Sequence, residues 1–140
     1  MNTQDMLELL YNALSLSGFI FHNQFLEELT ELLKKDLKGK ESIFFKQLTT
    51  QLKNIKSFGA DIGKVDGHER LKGGGGHYHS IHFKHSQFNV RFIIRIDSDG
   101  VTYFLCAFNE RAGKRQTDYS AYIDVMARRY EELKGESYNE

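Results

Sequence analysis

Three β-like runs lying close together in the chain decide the fold: HYHSIHFK at residues 77–84, NVRFIIRID at 89–97 and VTYFLCAF at 101–108. Each run is rich in aromatic and β-branched residues and carries the alternating pattern of a strand. The second and third are joined by DSDG at 97–100, which is a turn signal between strands. Together the runs predict an antiparallel three-stranded meander.

Helical periodicity lies on both sides of these strands. Before them, a compact apolar run at 18–22 predicts a short strand, and apolar residues then recur at helical spacing in two segments that fill residues 24–57. Residues 58–76 lack periodicity and contain four consecutive glycines, which predicts a long loop. After the meander, apolar positions between Tyr122 and Leu133 predict a C-terminal helix.

These elements predict a single α+β domain over residues 1–140. The expected sheet is antiparallel, formed by the N-terminal strand and the meander, and it packs on two helices. The C-terminal helix completes a core at 17–133. Apolar residues at helical spacing predict an extra helix in an N-terminal extension at 1–16; they are Met6, Leu9, Leu10 and Leu14.

The composition is that of a soluble globular protein. The chain has 140 residues, of which 40% are apolar and 27% charged, and this apolar content offsets the entropy cost of ordering the chain. The sequence shows no secretory leader and no apolar run of the roughly 20 residues that a spanning helix needs. Its lone cysteine, Cys106, cannot form an internal disulfide. We therefore expect a cytoplasmic protein that does not associate with a membrane.

The net charge of zero conceals an uneven distribution. Residues 1–67 carry 8 lysines and 9 acidic residues, residues 68–130 carry 10 basic and 6 acidic residues, and residues 131–140 carry 1 lysine and 4 acidic residues. The three segments have net charges of −1, +4 and −3. The middle segment holds all seven arginines and five of the six histidines. A localised basic surface rich in imidazole is expected there, and such a surface suits a polyanion.

The two-residue alternation of side chains along a β-strand predicts which residues lie on this surface. It places His82 and Lys84 of the first run and Arg91 and Arg95 of the second on one face, which we expect to be open because the apolar residues of the opposite face pack on helices. An imidazole beside cations suits cleavage of RNA without a metal or another cofactor. The imidazole moves a proton, the cations stabilise charge on the phosphoryl oxygens, and the 2′-hydroxyl of RNA is the nucleophile.

Two other interpretations of the same residues stay open. The basic strands can form a solvated or purely binding face that performs no catalysis. Alternatively, the imidazoles of His77, His79 and His85 can bind zinc, although no second cysteine, HExxH helix or nearby pair of carboxylates completes a ligand set. Cys106 lies between apolar residues of the third run and is expected to be a buried, inert thiol.

A series of short motifs runs through the C-terminal half of the chain. In chain order they are Leu71-Lys72-Gly73, Tyr78-His79-Ser80-Ile81-His82-Phe83-Lys84, Val90-Arg91-Phe92-Ile93-Ile94, Tyr103-Phe104-Leu105-Cys106-Ala107-Phe108, Lys114-Arg115-Gln116-Thr117 and Ala127-Arg128-Arg129. In this order and spacing the chain resembles the RelE/HigB-type toxins of bacterial toxin–antitoxin systems over residues 17–133. It differs from the RelE branch at Ser80, where that branch has lysine.

The resemblance implies a small α+β endoribonuclease that cleaves messenger RNA, commonly at the ribosome, and is inactive while a co-encoded antitoxin binds it. Carried over by position, Arg91 matches an arginine that contacts the scissile phosphate. His82 and Lys84 match the basic positions of the preceding strand. Arg111 matches the basic position after the last strand, and Tyr119 the aromatic or acid–base residue near the end of the chain.

The leading hypothesis is therefore a toxin that acts as a metal-independent mRNA endoribonuclease and inhibits translation until its antitoxin neutralises it. The expected catalytic residues are His82, Arg91, Arg111 and Tyr119, and the expected substrate-binding residues are Lys84, Arg95, Lys114 and Arg115. The expected partners are messenger RNA and a cognate antitoxin protein. The alternatives are a non-catalytic toxin or regulator that resembles the ParE branch and acts on a protein target, and a histidine-based metal-binding protein.

Overall fold

The computed structural model describes residues 18–64, 67–71, 77–110 and 120–138, together with Asp5, Glu8 and Asn12. Those three residues are helical and fall within the predicted N-terminal helix, and the rest of that prediction lies outside the described residues. In chain order the elements are β1 (Phe19–Phe21), α1 (Asn23–Lys34), α2 (Glu41–Phe58), a 3₁₀ helix (Gly59–Lys64), β2 (His68–Arg70), β3 (Tyr78–His85), β4 (Phe88–Ile96), β5 (Thr102–Asn109) and α3 (Ser120–Tyr138). Over these ranges the protein is α+β, as predicted.

The described strands form one five-stranded sheet in the order β1-β5-β4-β3-β2. The predicted meander is confirmed, because β3, β4 and β5 pair with their neighbours in antiparallel register. The prediction of an entirely antiparallel sheet is wrong, since β1 pairs with β5 in parallel. A parallel pair requires a crossover connection, and the chain between β1 and β5 runs through two helices and three strands before it returns to the same edge.

A second correction concerns the predicted loop at 58–76. Part of it is the short strand β2, which pairs with β3 and forms the edge of the sheet opposite β1. Three residues are too few to show a period of two, so periodicity does not reveal this strand. Its backbone hydrogen bonds to β3 hold it in place, including the bond from the His82 N–H to the Gly67 carbonyl at 2.7 Å.

One face of the sheet packs on α1 and α2 through a cluster of aromatic rings. Phe92 of β4 lies at the centre of this cluster, with ring centroids 4.9 Å from Phe25, 4.7 Å from Phe83 and 6.0 Å from Phe44. The rings meet edge to face, an arrangement that aromatic pairs prefer. These residues are almost completely buried, so this layer is the main hydrophobic core.

The other face of the sheet is partly covered by α3, which corrects the prediction that it is open. A second group of buried residues lies between α3 and this face: Leu71, Tyr78, Ile93, Tyr103, Leu105, Cys106, Met126 and Tyr130. The sequence placed the C-terminal helix but not the face on which it packs, because helical periodicity identifies an apolar stripe and not its partner. Among the described residues, α3 does not cover this face toward the end of β3 that contains Lys84, and Lys84 is exposed.

A β-bulge in β5 shapes this second layer. Ile93 pairs with Cys106 while Ile94 pairs with Phe104, so Leu105 is an extra residue in β5. As a result, the consecutive residues Leu105 and Cys106 both belong to the cluster under α3. Bulges bend a strand and redirect its side chains, which here allows one strand to supply two neighbouring residues to one layer.

The bulge is fixed by the buried guanidinium of Arg129 on α3. Its Nη1 donates to the Leu105 carbonyl at 2.7 Å, and its two terminal nitrogens pair with both carboxylate oxygens of Glu28 on α1, at 2.9 and 3.1 Å. Glu28 also accepts the Ala107 N–H at 3.1 Å, beyond the part of the β5 edge that β1 covers. One arginine therefore connects α1, β5 and α3.

None of the helices in the described part of the chain is long and apolar enough to cross a membrane.

Candidate functional site

Three side chains form a row across the sheet on the face that α3 partly covers. His82 of β3 pairs with Arg91 of β4, and Arg91 pairs with Phe108 of β5. Directly paired residues on neighbouring antiparallel strands have Cβ atoms about 4.5–5.5 Å apart on the same face. The structure therefore brings together the imidazole and the arginine that the sequence predicted, and it adds an aromatic ring beside them.

The Arg91 guanidinium lies among carboxylates and a hydroxyl. Its Nε donates to Oε1 of Glu110 in a very close contact, and its Nη1 lies 3.4 Å from the Ser80 hydroxyl oxygen and 3.9 Å from Oε2 of Glu69. The Arg91 side chain is 18% exposed and that of Glu110 8% exposed, whereas Glu69 is 60% exposed. Arg91 is thus a partly buried cation held mainly by Glu110.

Asn89 fixes the orientation of His82. The Nε2 atom of the imidazole is in close contact with Oδ1 of Asn89, which lies two residues before Arg91 on β4. An amide oxygen only accepts hydrogen bonds, so a neutral imidazole that makes this hydrogen bond donates from Nε2 and has its free electron pair at Nδ1. His82 is half-buried. A neutral imidazole in this state can accept a proton at Nδ1.

A stacked pair of rings borders the site on the side of α3. Phe108 and Tyr122 lie nearly parallel, with their centroids 4.7 Å apart and an interplanar angle of 9°. Both side chains are half-buried. Burial raises the pKa of the Tyr122 hydroxyl, which is therefore neutral near pH 7. This pair provides aromatic surface next to a cation, a combination that suits an unpaired nucleic-acid base.

Arg95, predicted as a substrate-binding residue, is engaged elsewhere. Its Nε donates to Asp97 at 3.0 Å, and its guanidinium carbon lies 3.8 Å from the centroid of the Tyr130 ring on α3. Asp97 also accepts from the Tyr130 hydroxyl at 2.7 Å and pairs with Lys134 at 3.1 Å. Burial opposes ionisation of Asp97, but these three donors still lower its pKa below the usual value. Arg95 lies about 13 Å along β4 from Arg91 and helps to hold α3 on the sheet.

The remaining predicted site residues divide into two groups. Lys84 is exposed on the same face as His82, two residues further along β3, and its carbonyl accepts from the Gln47 side chain at 3.0 Å. Arg111, Lys114, Arg115 and Tyr119 lie outside the described residues. The described part of the site therefore contains His82, Lys84 and Arg91 from the predicted set.

The histidines considered as zinc ligands do not form a cluster. His79 is buried in β3 opposite Ile94, while His85 ends the strand and stacks on Phe88 with centroids 5.0 Å apart. Six residues of an extended strand separate them by about 20 Å, so they cannot share an ion. Across the residues that the structure describes, no group of three or more His, Cys, Asp or Glu side chains is arranged to hold a metal.

Two imidazoles are buried on the opposite face, near the β2 edge. His68 of β2 contacts the Gln51 side chain of α2 through Nε2, and the Nδ1 atoms of His68 and His79 have no hydrogen-bond partner. Burial, reinforced by the neighbouring His79, lowers the pKa of His68 from 6.5 to about 4. Burial, with Arg70 and His77 nearby, also lowers the pKa of His79. Both rings are therefore neutral at pH 7.

Cys106 is buried beneath α3, as predicted from its apolar neighbours. Burial raises the pKa of its thiol to about 12, although Arg129 lies nearby and opposes the shift. A thiol with this pKa is protonated at neutral pH and is a poor nucleophile. Cys106 therefore has a packing role in the second layer.

Several residues of the site were not found from the sequence. Glu69 could not be placed without β2, and Tyr122 was predicted only as part of the apolar face of a helix. Asn89 begins its predicted strand and Phe108 ends its own, and residue type alone does not indicate a role at either position. The sequence did contain an indication of Glu110 as a site residue, because this acidic residue lies between the last strand and the basic Arg111.

Comparison of the chain with protein-family models, with curated proteins and with solved structures found no match.

Proposed function

We propose that this protein is a cytoplasmic toxin of a toxin–antitoxin system that cleaves messenger RNA without a metal ion. The observation that supports this function best is the cross-strand pair of His82 and Arg91, with Phe108 beside Arg91 on the next strand. An imidazole, a guanidinium and an aromatic ring lie within one row, and the proposal assigns them proton transfer, phosphate binding and base stacking. These are the groups that cleavage of a phosphodiester next to an unpaired base requires.

The proposed reaction uses the nucleophile that RNA itself supplies. The 2′-hydroxyl attacks the neighbouring phosphorus and gives its proton to a base, while the bond from phosphorus to the 5′-oxygen breaks and that oxygen receives a proton. The products are a 2′,3′-cyclic phosphate and a 5′-hydroxyl end. His82 moves one of these protons through Nδ1, and Arg91 stabilises the additional negative charge on the phosphoryl oxygens.

The proposal also includes residues that lie outside the described ranges. Arg111 joins Arg91 in stabilising charge, Lys114 and Arg115 bind the RNA backbone together with Lys84, and Tyr119 stacks a base or transfers a proton. Arg95 is left out, because its pairing with Asp97 and Tyr130 engages it in holding α3. The proposed partners are messenger RNA, with cleavage on the ribosome as in similar toxins, and an antitoxin that covers the site.

The test is a cleavage assay on messenger RNA, both free, with and without a chelator, and on translating ribosomes in the magnesium that they require. We expect the wild type to produce 2′,3′-cyclic phosphate ends and to leave 2′-O-methyl RNA intact, because that RNA lacks the nucleophile. His82→Gln should lower the rate by about 10²- to 10⁴-fold, the usual contribution of a general acid or base. His85→Gln, at the end of the same strand, is the matched control and should keep the wild-type rate.

An inactive wild type in both settings, or full activity of His82→Gln, would overturn the assignment. A requirement for a divalent metal would favour a metal-dependent mechanism instead. Expression in bacteria gives a second measurement: the wild type should arrest growth, and His82→Gln should not.

One observation favours a second candidate, a ParE-like protein that binds its target without catalysis. Both members of the central pair already have protein partners, since Arg91 is held by Glu110 and His82 by Asn89. Internally satisfied polar groups are the ordinary condition of a folded protein and do not require catalysis. Growth arrest without RNA cleavage, unchanged by His82→Gln, would support this alternative.

A further inference from the structure

The Arg91 cation at the centre of the site already has an anion bound to it. Glu110 contacts Nε directly, and its side chain is 8% exposed. Glu69 approaches Nη1 from the β2 edge at 3.9 Å and is 60% exposed. A guanidinium binds carboxylate and phosphate in the same way, through parallel N–H groups. Glu110 therefore covers part of the surface of Arg91 that a phosphate would use.

The position of Glu110 in the chain allows this contact to open without loss of the sheet. Glu110 immediately follows the last residue of β5, and its backbone N–H donates to the Asn89 carbonyl at 2.7 Å. This bond fixes the backbone, while the carboxylate is carried on a side chain with several rotatable bonds. A change of rotamer at Glu110 removes the carboxylate from Arg91 and leaves the pairing of β4 with β5 unchanged.

Charge near Arg91 also disfavours an incoming anion. Glu110 and Glu69 bring two carboxylates to the one guanidinium of Arg91. A phosphodiester must replace Glu110 and also approach the displaced carboxylate. The phosphodiester and the displaced carboxylate would be close together in a partly buried site, so their repulsion is stronger than it would be in open water.

We propose that Glu110 is an autoinhibitory residue that occupies the phosphate position on Arg91 in the free protein. This inference rests on the proposed function, because it takes the Arg91 site as the place where the RNA phosphate binds. RNA binding is then an exchange of anions, in which substrate phosphate displaces the Glu110 carboxylate. The free protein consequently binds isolated anions weakly. An RNA strand, which makes several contacts at once, displaces the Glu110 carboxylate.

The test compares binding of a short fluorescent 2′-O-methyl RNA, which cannot be cleaved, to the wild type, Glu110→Gln and Glu69→Gln. Glutamine keeps the size of the side chain and removes its charge, so Glu110→Gln should bind roughly tenfold more tightly at low salt. Glu69→Gln is the matched control; its carboxylate is more exposed and farther from Arg91, and it should change affinity by less than about threefold. The gain at Glu110 should shrink as salt is added.

A folded Glu110→Gln protein that binds no more tightly than the wild type would overturn the inference. If that variant does not fold, Glu110→Asp replaces it: the shorter side chain keeps the charge but loosens the contact with Nε, and binding should again be tighter than in the wild type. Equal or weaker binding by a folded Glu110→Asp would also overturn the inference.

Failure of the inference and failure of the proposed function give different results. If the wild type cleaves RNA and Glu110→Gln gains no affinity, only the inference fails. If no protein cleaves RNA but Glu110→Gln still gains affinity for the oligonucleotide, the nuclease assignment fails and the anion exchange at Arg91 stands.

Discussion

Two arginines of the same strand show that the role of a residue is set by its partners. Arg91 and Arg95 lie four positions apart on one face of β4, and the sequence pattern treats them alike. In the structure, Arg91 lies between His82 and Phe108 with Glu110 bound to it, whereas Arg95 pairs with Asp97 beneath Tyr130. Arg95 therefore helps to hold α3 on the sheet, whereas Arg91 lies in the row that includes His82.

The buried imidazole of His68 gives a prediction about pH. Its pKa is about 4 in the folded protein and near 6.5 in the unfolded chain, so the unfolded chain binds more protons between these values. Stability should therefore be highest above about pH 6.5 and should fall as the pH decreases toward 4. Urea unfolding at a series of pH values measures this dependence.

The matched variants for this measurement are His68→Gln and His85→Gln. Glutamine does not titrate, so His68→Gln should lose stability less steeply than the wild type as the pH falls from 6.5 to 4. His85→Gln should keep the wild-type slope, because His85 lies at the end of β3, away from the buried pair. Equal slopes for His68→Gln and the wild type would contradict the assignment.

At the scale of elements, α3 is attached to the sheet by two polar groups as well as by apolar packing. Asp97 receives donors from Arg95, Tyr130 and Lys134 at the end of β4. Arg129 donates hydrogen bonds to Glu28 on α1 and to the Leu105 carbonyl at the bulge of β5. The amphipathic pattern predicted α3 itself. It did not predict the bulge of β5 or the bond from Arg129 to Glu28, about a hundred residues away in the chain, because neither produces a periodic pattern of residues.

Replacing Arg129 tests this attachment. Arg129→Ala leaves the Glu28 carboxylate and the Leu105 carbonyl without their main donor, and we expect a loss of about 3 kcal/mol in the free energy of unfolding. Its neighbour Arg128 is the control: it is 65% exposed and, among the described residues, pairs with Glu132 on its own helix, so Arg128→Ala should change stability by less than about 1 kcal/mol. Similar losses in the two variants would mean that Arg129 contributes no more than a surface charge.

The molecule as a whole consists of a shared sheet between two unequal layers. The layer of α1 and α2 holds the aromatic core around Phe92, and the layer under α3 is smaller and contains more polar groups. The site lies where this second layer ends and the sheet face becomes accessible. A localised site of this kind agrees with a net charge of zero that conceals a basic middle segment.

The larger layer should dominate overall stability. Phe92→Ala removes the ring at the centre of four aromatic contacts and should cost about 3–5 kcal/mol. Phe58→Ala at the end of α2, where the ring is 49% exposed, should change stability by about 0.5 kcal/mol or less. Denaturant unfolding of both variants measures the difference, and a small effect at Phe92 would show that the aromatic cluster is not the main core.

Periodicity, which is a local property of the sequence, predicted the helices at 24–57, the meander and the placement of His82, Lys84, Arg91 and Arg95 on one face. Tertiary structure decided the parallel pairing of β1 with β5, the existence of β2 and the packing of α3 on the face expected to be open. It also decided which cations are engaged, through Glu110 at Arg91 and Asp97 at Arg95. Such contacts join residues distant in the chain or depend on which surfaces are left to be buried, and neither is encoded in the spacing of neighbouring residues.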